Sequence, residues 1–408
     1  MDDLLQYIPP MLSGKELDDR LSVFPTYNKS ITTKSVTERL ITLQDIYQIF
    51  IPSAMSREIY TKLYLALLRS LQKKKSILAV RQANENSKMV RQKSYESIIG
   101  GSDSFTIIGP SGIGKSSAVS RVVNILTEKA VLELSNTKII ACLQVQTPAD
   151  CSIKGLLFEI LRKADEILST SYYKNAVRSH ATVDMLVGTV SQVALNHIGL
   201  LIVDEIQNVV NNRSGNTLVG TLTQLINNSG ISLCFVGTPD SAIFFEKEAM
   251  LARRSLGLNY EPMEYSDEFQ KFCKIILAYS YVQQPTTVDE STLMWLYQHS
   301  HGNASIVVSL LHAAQEIAIL GGYECLDISS LNIAYEKRMK MLHNYIQPQP
   351  IKASLPKKNN SSPSKISFKP VLTDNISIYQ IAMEAKVSKS DIISLLRQNG
   401  FKIEEVAI

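Results

Sequence analysis

The chain has 408 residues, 45% of them apolar and 20% charged, with a formal net charge of +4. That length argues for two or three units with ample core material, in a composition ordinary for a soluble globular protein. No uninterrupted apolar run approaches the roughly 18–20 residues needed to cross a bilayer, and the acidic start "MDDLLQYIPPML" does not read as a signal peptide, so a cytoplasmic location is expected.

In chain order, residues 1–97 combine a polar, Ser/Thr-rich lead with the helical pattern "SREIYTKLYLALLRSLQKKK". Its stripe runs Ile59, Leu63, Leu67 and Leu71, widened by Leu65 and Leu68. Residues 98–265 alternate helical stretches with the β-rich runs "SFTIIG", "KIIACLQV", "GLLIVDE", "ISLCFVG" and "LGLNYEPMEY". Such alternation predicts an α/β fold with a five-stranded parallel sheet covered on both faces. Residues 266–346 read as a helical lid, with Asp267, Asp289 and Asn303 as N-caps. Residues 347–370 read as a flexible basic linker, and residues 371–408 as a small helical module, its second helix capped by Ser388 or Ser390.

The cysteines (Cys142, Cys151, Cys234, Cys273 and Cys325) are odd in number and lack a C-x-x-C pair, so neither a disulfide framework nor a zinc site is indicated. Positive charge gathers from Arg69 to Lys93 (Arg69, Lys73, Lys74, Lys75, Arg81, Lys88, Arg91 and Lys93 against Glu85) and again in the lysines of the linker. Two basic runs flanking a near-neutral body suit a polyanionic partner, and equally suit a solvated surface.

"SFTIIGPSGIGKSS" places Gly109-x-x-x-x-Gly114-Lys115-Ser116 between a strand and a helix, the context that a Walker A phosphate loop requires. Residues Gly109, Pro110, Ser111, Gly112, Ile113, Gly114, Lys115, Ser116 and Ser117 would wrap the phosphates. Glycines allow the positive-φ turns that point successive N–H groups at phosphate oxygens, and the helix start adds partial positive charge. Lys115 can reach the β- and γ-phosphates, and the Ser116 hydroxyl can ligate Mg²⁺.

Downstream, "LLIVDEIQNVV" ends an apolar strand in two carboxylates. Asp204 is expected to hold Mg²⁺, and Glu205 to polarise the attacking water as general base. The alternative is two acids at the start of a helix, where the dipole favours them. In "ISLCFVGTPDS", Thr238 follows a third strand and is placed to sense the γ-phosphate or the water. The absence of an N-K-x-D or T-K-x-D tetrapeptide favours ATP over GTP. In "EKEAMLARRSLG", Arg253 or Arg254 could serve as a finger reaching a neighbouring subunit's nucleotide, or simply complement a helix C-terminus.

This order of motifs resembles the AAA+ ATPases. "FTIIGPSGIGKSSAV", "LLIVDEIQN" and "CFVGTPDS" are together similar to the TnsC/TniB group, ATP-dependent regulators of DNA transposition. The resemblance implies a slow Mg²⁺-dependent ATPase whose subunits assemble as rings or filaments on double-stranded DNA, nucleoid-associated in a bacterium. It also implies two protein partners, a target-selection protein or RNA-guided complex and a transposase. It further implies backbone contacts to DNA from the segment after the second strand, where Thr147 and Lys154 stand; Lys154 equally suits a solvated surface. The lid helix "GNASIVVSLLHAAQEIA" departs from many AAA+ proteins, for it carries no arginine or lysine that could act as a second sensor. The C-terminal module resembles a helix-turn-helix but offers only Arg397 for DNA, which favours docking to a protein. An AAA+ helicase loader or a replication-initiator-like ATPase acting on a DNA-bound partner is the alternative reading. A small-molecule kinase would leave the paired arginines and basic runs without a role.

Overall fold

The computed structural model describes residues 8–339 except 75, 91–103, 129–130, 135–136, 149–151, 211–214, 242–256 and 285–287. The chain divides into Met1–Gln349 and Pro350–Ile408, and the second unit, with the C-terminal module and most of the expected linker, lies outside the described residues.

The sheet contains β1 (Ser104–Ile108), β2 (Val131–Leu134), β3 (Thr137–Gln146), β4 (Ile198–Asp204), β5 (Ser232–Gly237) and β6 (Leu258–Asn259). Their spatial order is β2-β3-β4-β5-β1-β6. All pairings are parallel except β2 with β3. The sheet is therefore mixed and six-stranded rather than the expected five. The additional strand is a four-residue antiparallel edge that returns directly into β3, too short to carry a period of its own. β6 covers only two residues of the expected "LGLNYEPMEY" run.

Side chains along each strand alternate between two cores. Leu201, Val203, Leu233 and Phe235 face α6 (Ile153–Leu168), α8 (Val183–His197) and α10 (Gly215–Ser229). Leu200, Ile202, Cys234 and Val236 face α3 (Ala54–Lys74) and α5 (Lys115–Leu126). Both faces of the inner strands are buried, which accounts for their unbroken apolar runs.

On α3 the buried stripe is Ile59, Tyr60, Leu63, Tyr64, Leu67 and Leu71. Leu65, expected within it, points to solvent at 37% exposure, because the two tyrosines take the adjoining positions. Tyr60 and Tyr64 keep their hydroxyls satisfied there, the first accepting from Leu12 N–H (2.8 Å) and the second donating to the Pro9 carbonyl (2.9 Å). The basic run continues past α3 into α4 (Ile77–Val90), packed against α8. Lysines of the run find internal partners. Lys74 Nζ donates to the Ala194 and Leu195 carbonyls at the end of α8, the latter at 2.6 Å, and Lys88 pairs with Glu85 at 2.6 Å. Lys75, Arg91 and Lys93 lie outside the described residues.

The region expected as a helical lid contains α11 (Asp267–Leu277), α12 (Glu290–Ser300), α13 (Ala304–Leu320) and α14 (Ile328–Arg338). Asp289 and Asn303 cap α12 and α13, whereas Ser266 rather than Asp267 caps α11, by accepting from the Phe269 N–H. Asp267 is the first helical residue, where its charge suits the dipole.

The N-terminal lead is a strap joined to both parts. Leu43, the last residue of α2 (Val36–Leu43), and Ile46 just after it are fully buried in the lid core with Phe269, Leu296 and Leu311. Arg39 on α2 is 1% exposed and forms two 2.6 Å bonds to the Glu324 carboxylate, with a third at 3.1 Å to the Tyr281 carbonyl. Tyr27 donates to the Ser280 carbonyl (2.6 Å). The guanidinium holds the Glu324 carboxyl below the usual carboxylate range.

Removing one member of such a pair strands the other. Arg39→Ala should lower unfolding free energy by about 3 kcal/mol, measured by urea denaturation of the full chain. Because the Glu324 pKa is depressed on folding, its contribution is complete above the unfolded value of about 4.3 and fades as pH falls through the folded value. Glu324→Gln should therefore flatten the acid limb of the stability profile.

Candidate active site

The site is built where the middle strands end. β5 lies between β4 and β1, with Ile108 paired to Gly237 and Val203 to Phe235. Parallel register thus delivers the phosphate loop, the Asp204–Glu205 pair and Thr238 to one edge of the sheet, the edge at which ligands bind in open α/β sheets. Two bonds tie the strand ends together: Gly109 N–H to the Gly237 carbonyl (3.3 Å) and Ile206 N–H to the Val236 carbonyl (3.1 Å).

The loop adopts the geometry that its glycines permit. Gly112 and Gly114 have φ of 86° and 99°, a region that any side chain would strain. Lys115, on the first turn of α5, is 8% exposed and donates to the Gly109 (2.7 Å) and Pro110 (2.8 Å) carbonyls. Burial pulls its ammonium pKa down, against the opposing pull of nearby Asp204. Ser116 and Ser117 are exposed on the same turn.

Asp204 is 4% exposed, and its carbonyl is gripped by Thr147 through both N–H (2.9 Å) and hydroxyl (3.0 Å). The next residue turns into left-handed backbone, Glu205 having φ of 58°. Its N–H donates to Asp204 Oδ1 (2.8 Å), and its carboxylate accepts from Asn208 Nδ2 at 3.5 Å. A non-glycine residue held in this region costs of order 1 kcal/mol or more and is a common mark of a functional turn. Here the turn leaves the Glu205 side chain exposed at the rim while Asp204 stays below.

These groups line one cavity of about 220 Å³, formed by the loop residues with Asp204, Glu205, Gln207, Thr238 and Ser305. Thr238 Oγ1 and Gln207 Oε1 are buried and have no protein partner among the described residues. Buried polar atoms are rarely left so, and these two suit a polar ligand. Ser116 hydroxyl and Asp204 carboxylate supply the hard oxygen donors that Mg²⁺ takes alongside phosphate. Among the described residues no cluster of three or more His, Cys, Asp or Glu side chains could hold a metal by itself.

A second cavity, of about 480 Å³, adjoins the first and shares Gly112, Gly114, Ser117 and Ser305 with it. Its walls are mostly apolar: Phe50 and Ile51 from the strap, Met55 from the first turn of α3, Tyr260 after β6, and Met263, Phe272 and Val308 from the lid, with Glu261 and Glu268 also lining it. Volume and lining suit a flat heterocycle. Sequence reasoning missed it, since no motif marks it. The only signal was the apolar run "IFIP" just before α3, within a segment otherwise read as polar lead.

Two candidate residues stand apart. Thr147, expected beside DNA, is 4% exposed with its hydroxyl committed to the Asp204 carbonyl, so it braces the end of β4. Lys154 is exposed on the first turn of α6, its ammonium 5.6 Å from the Phe158 ring centre. Arg253 and Arg254 lie outside the described residues.

Comparison with protein families matches residues 99–242 to the model described as AAA domain. Curated proteins give no match. Among solved structures, the chain is similar to Aeropyrum pernix ORC1 in complex with DNA, at 17% identity and a TM-score of 0.41 over 63% of each chain. It is similar to Drosophila ORC bound to DNA at 13% identity and TM-score 0.45, over 97% of this chain and 85% of that one. Domain III of the Thermotoga maritima replication initiation protein DnaA gives 11% identity and TM-score 0.37, over 67% and 94% respectively. The chain thus spans 63% of the length of the Aeropyrum ORC1 chain. Residues 99–242, which match the AAA domain model, include the phosphate loop, Asp204, Glu205 and Thr238.

Lys115→Ala removes the one buried cation that lines this cavity among the described residues. Charge-assisted hydrogen bonds contribute about 1.5–3 kcal/mol each, so binding of Mg-ATP should weaken roughly 10- to 150-fold by calorimetric titration. An unchanged affinity would mean that the cavity does not receive phosphates.

Proposed function

We propose that the chain is a Mg²⁺-dependent ATPase used as a switch, hydrolysing ATP to ADP and phosphate while associated with double-stranded DNA. The observation that carries the catalytic half is the meeting of the phosphate loop, Asp204, Glu205 and Thr238 at three adjacent parallel strand ends. In this reading the loop N–H groups and Lys115 hold the phosphates, and Ser116 and Asp204 hold the metal. Glu205 accepts the proton of the attacking water, and Thr238 fixes that water or the γ-phosphate from its place between the other two. The apolar cavity takes the adenine.

Arg253 or Arg254 acts in a neighbour's site in this reading, which makes turnover depend on self-association. A head-to-tail interface of that kind builds rings when the rotation closes and helical filaments when it does not. Lys154 and the exposed members of the basic run supply contacts to the DNA backbone, so assembly should be salt-sensitive and indifferent to sequence. The motifs "DEIQN" and "GTPDS" support a finer role in regulating DNA transposition, in which the assembly links a target-selection protein or RNA-guided complex to a transposase.

The second reading is a helicase loader or replication-initiator-like ATPase that remodels a DNA-bound partner. It shares every residue of the site, and the solved structures similar to this chain include ORC proteins bound to DNA. The two readings differ in what ATP alone achieves. Electron microscopy with a non-hydrolysable ATP analogue and plain duplex DNA should show rings or filaments, lost when the analogue is omitted. If duplex DNA stays bare unless another protein is added, the loader reading replaces the transposition reading.

A further inference from the structure

The start of α13 rests directly on the phosphate loop. Asn303 Nδ2 donates to the Ser111 carbonyl at 2.8 Å, and the Ser305 N–H donates to the Gly112 carbonyl at 3.0 Å. The same Asn303 side chain caps its own helix, its Oδ1 accepting from the Ser305 N–H (3.1 Å), the Ile306 N–H (3.4 Å) and the Ser305 hydroxyl (3.1 Å). One amide thus orders the helix start with its oxygen and holds the loop with its nitrogen.

The approach is close and fixed from behind. A Cβ at Gly112 would stand 2.4 Å from Ser305 Oγ and 2.6 Å from Asn303 Oδ1. Gly302, at φ of 74°, lies so near the connection into the lid that a Cβ there would be 1.7 Å from the Met263 carbonyl. The Met263 N–H donates to the Gly302 carbonyl at 3.1 Å. The first turn of α13 carries neither acid nor base.

We propose that Asn303, supported by Ser305, is a neutral latch through which the lid registers a filled phosphate loop without reading the γ-phosphate. The inference rests on the ATP-site reading given above. Its partners are main-chain carbonyls of the loop rather than a phosphate. Their position follows the loop's conformation, which any nucleotide that engages the loop N–H groups will set. A cation held over the γ-phosphate would separate ATP from ADP by Coulomb attraction; an amide bonded to a carbonyl has no such means. The latch also joins the two cavities, since Ser305 lines both and Val308, one turn on, lines the apolar one. Asn303 is therefore a positioning residue, and its loss should act on di- and triphosphate alike.

Asn303→Ser separates latch from cap. Serine caps helices about as well as asparagine and adds no charge, but its short side chain cannot reach the Ser111 carbonyl. Affinities of the full chain for Mg-ADP and for the β,γ-imido analogue of Mg-ATP would be measured by calorimetry, with the melting temperature recorded alongside. Asn303→Ser should weaken both nucleotides by the same factor, roughly 2- to 12-fold for one neutral hydrogen bond, and leave the nucleotide-free melting temperature near that of the parent. Asn303→Ala should add a fall in melting temperature from the lost cap. Unchanged affinities in the serine variant, or a loss confined to the triphosphate, would overturn the latch while leaving the ATP site standing. A parent chain that binds neither nucleotide would overturn the ATP-site reading and the latch with it.

Discussion

Everything chemical in this molecule depends on the parallel register of β4, β5 and β1. Three segments separated by roughly a hundred residues and by thirty contribute one group each, and none would meet the others without side-by-side strands running the same way. The register also explains why the inner strands are buried on both faces. A carboxylate such as Asp204 can end a wholly apolar strand only where that strand leaves the core, and only with its main chain firmly held. Thr147, just after β3, supplies that hold with two bonds to one carbonyl.

Around this rigid edge the site is completed by parts that belong to other layers. The strap contributes to both the sheet-side core and the lid core, and just before α3 it lines the apolar cavity with Phe50 and Ile51. The N-terminal lead is thus part of the wall of that cavity. A fully buried guanidinium on one side of this joint is tolerable only because Glu324 and a carbonyl answer it. Lid and core are also joined at the loop itself, through neutral groups.

What was legible in the sequence was local. Gly109, Gly114, Lys115 and Ser116 announce a phosphate loop because the backbone turn that gathers N–H groups demands glycine at set intervals, and that demand is written within nine residues. Asp204 and Glu205 were legible for a similar reason, two charges interrupting an apolar strand. What was not legible arises from contacts between distant segments. Asn303 reads as an N-cap from its neighbours alone, while its second bond, to Ser111, crosses 192 residues. Thr147 reads as a loop residue after a strand, and only the pairing of β3 with β4 turns it inward. Tyr60 and Tyr64 replace Leu65 in the buried stripe because their hydroxyls find partners in the N-terminal lead, a preference that apolar periodicity does not register. The edge strand β2 owes its existence to hydrogen bonds with β3, four residues being too few to declare a period.

In the proposed function Glu205, held at the rim by a left-handed turn while Asp204 stays below, activates water against a bound nucleotide. Phosphate release from Mg-ATP by the parent chain and by Glu205→Gln, with nucleotide binding titrated in parallel, tests it most directly. The substitution keeps the shape and removes the base. Binding should be retained and turnover should fall by roughly 10²- to 10⁴-fold, the range that a general base contributes. Equal turnover by the two proteins would contradict the account.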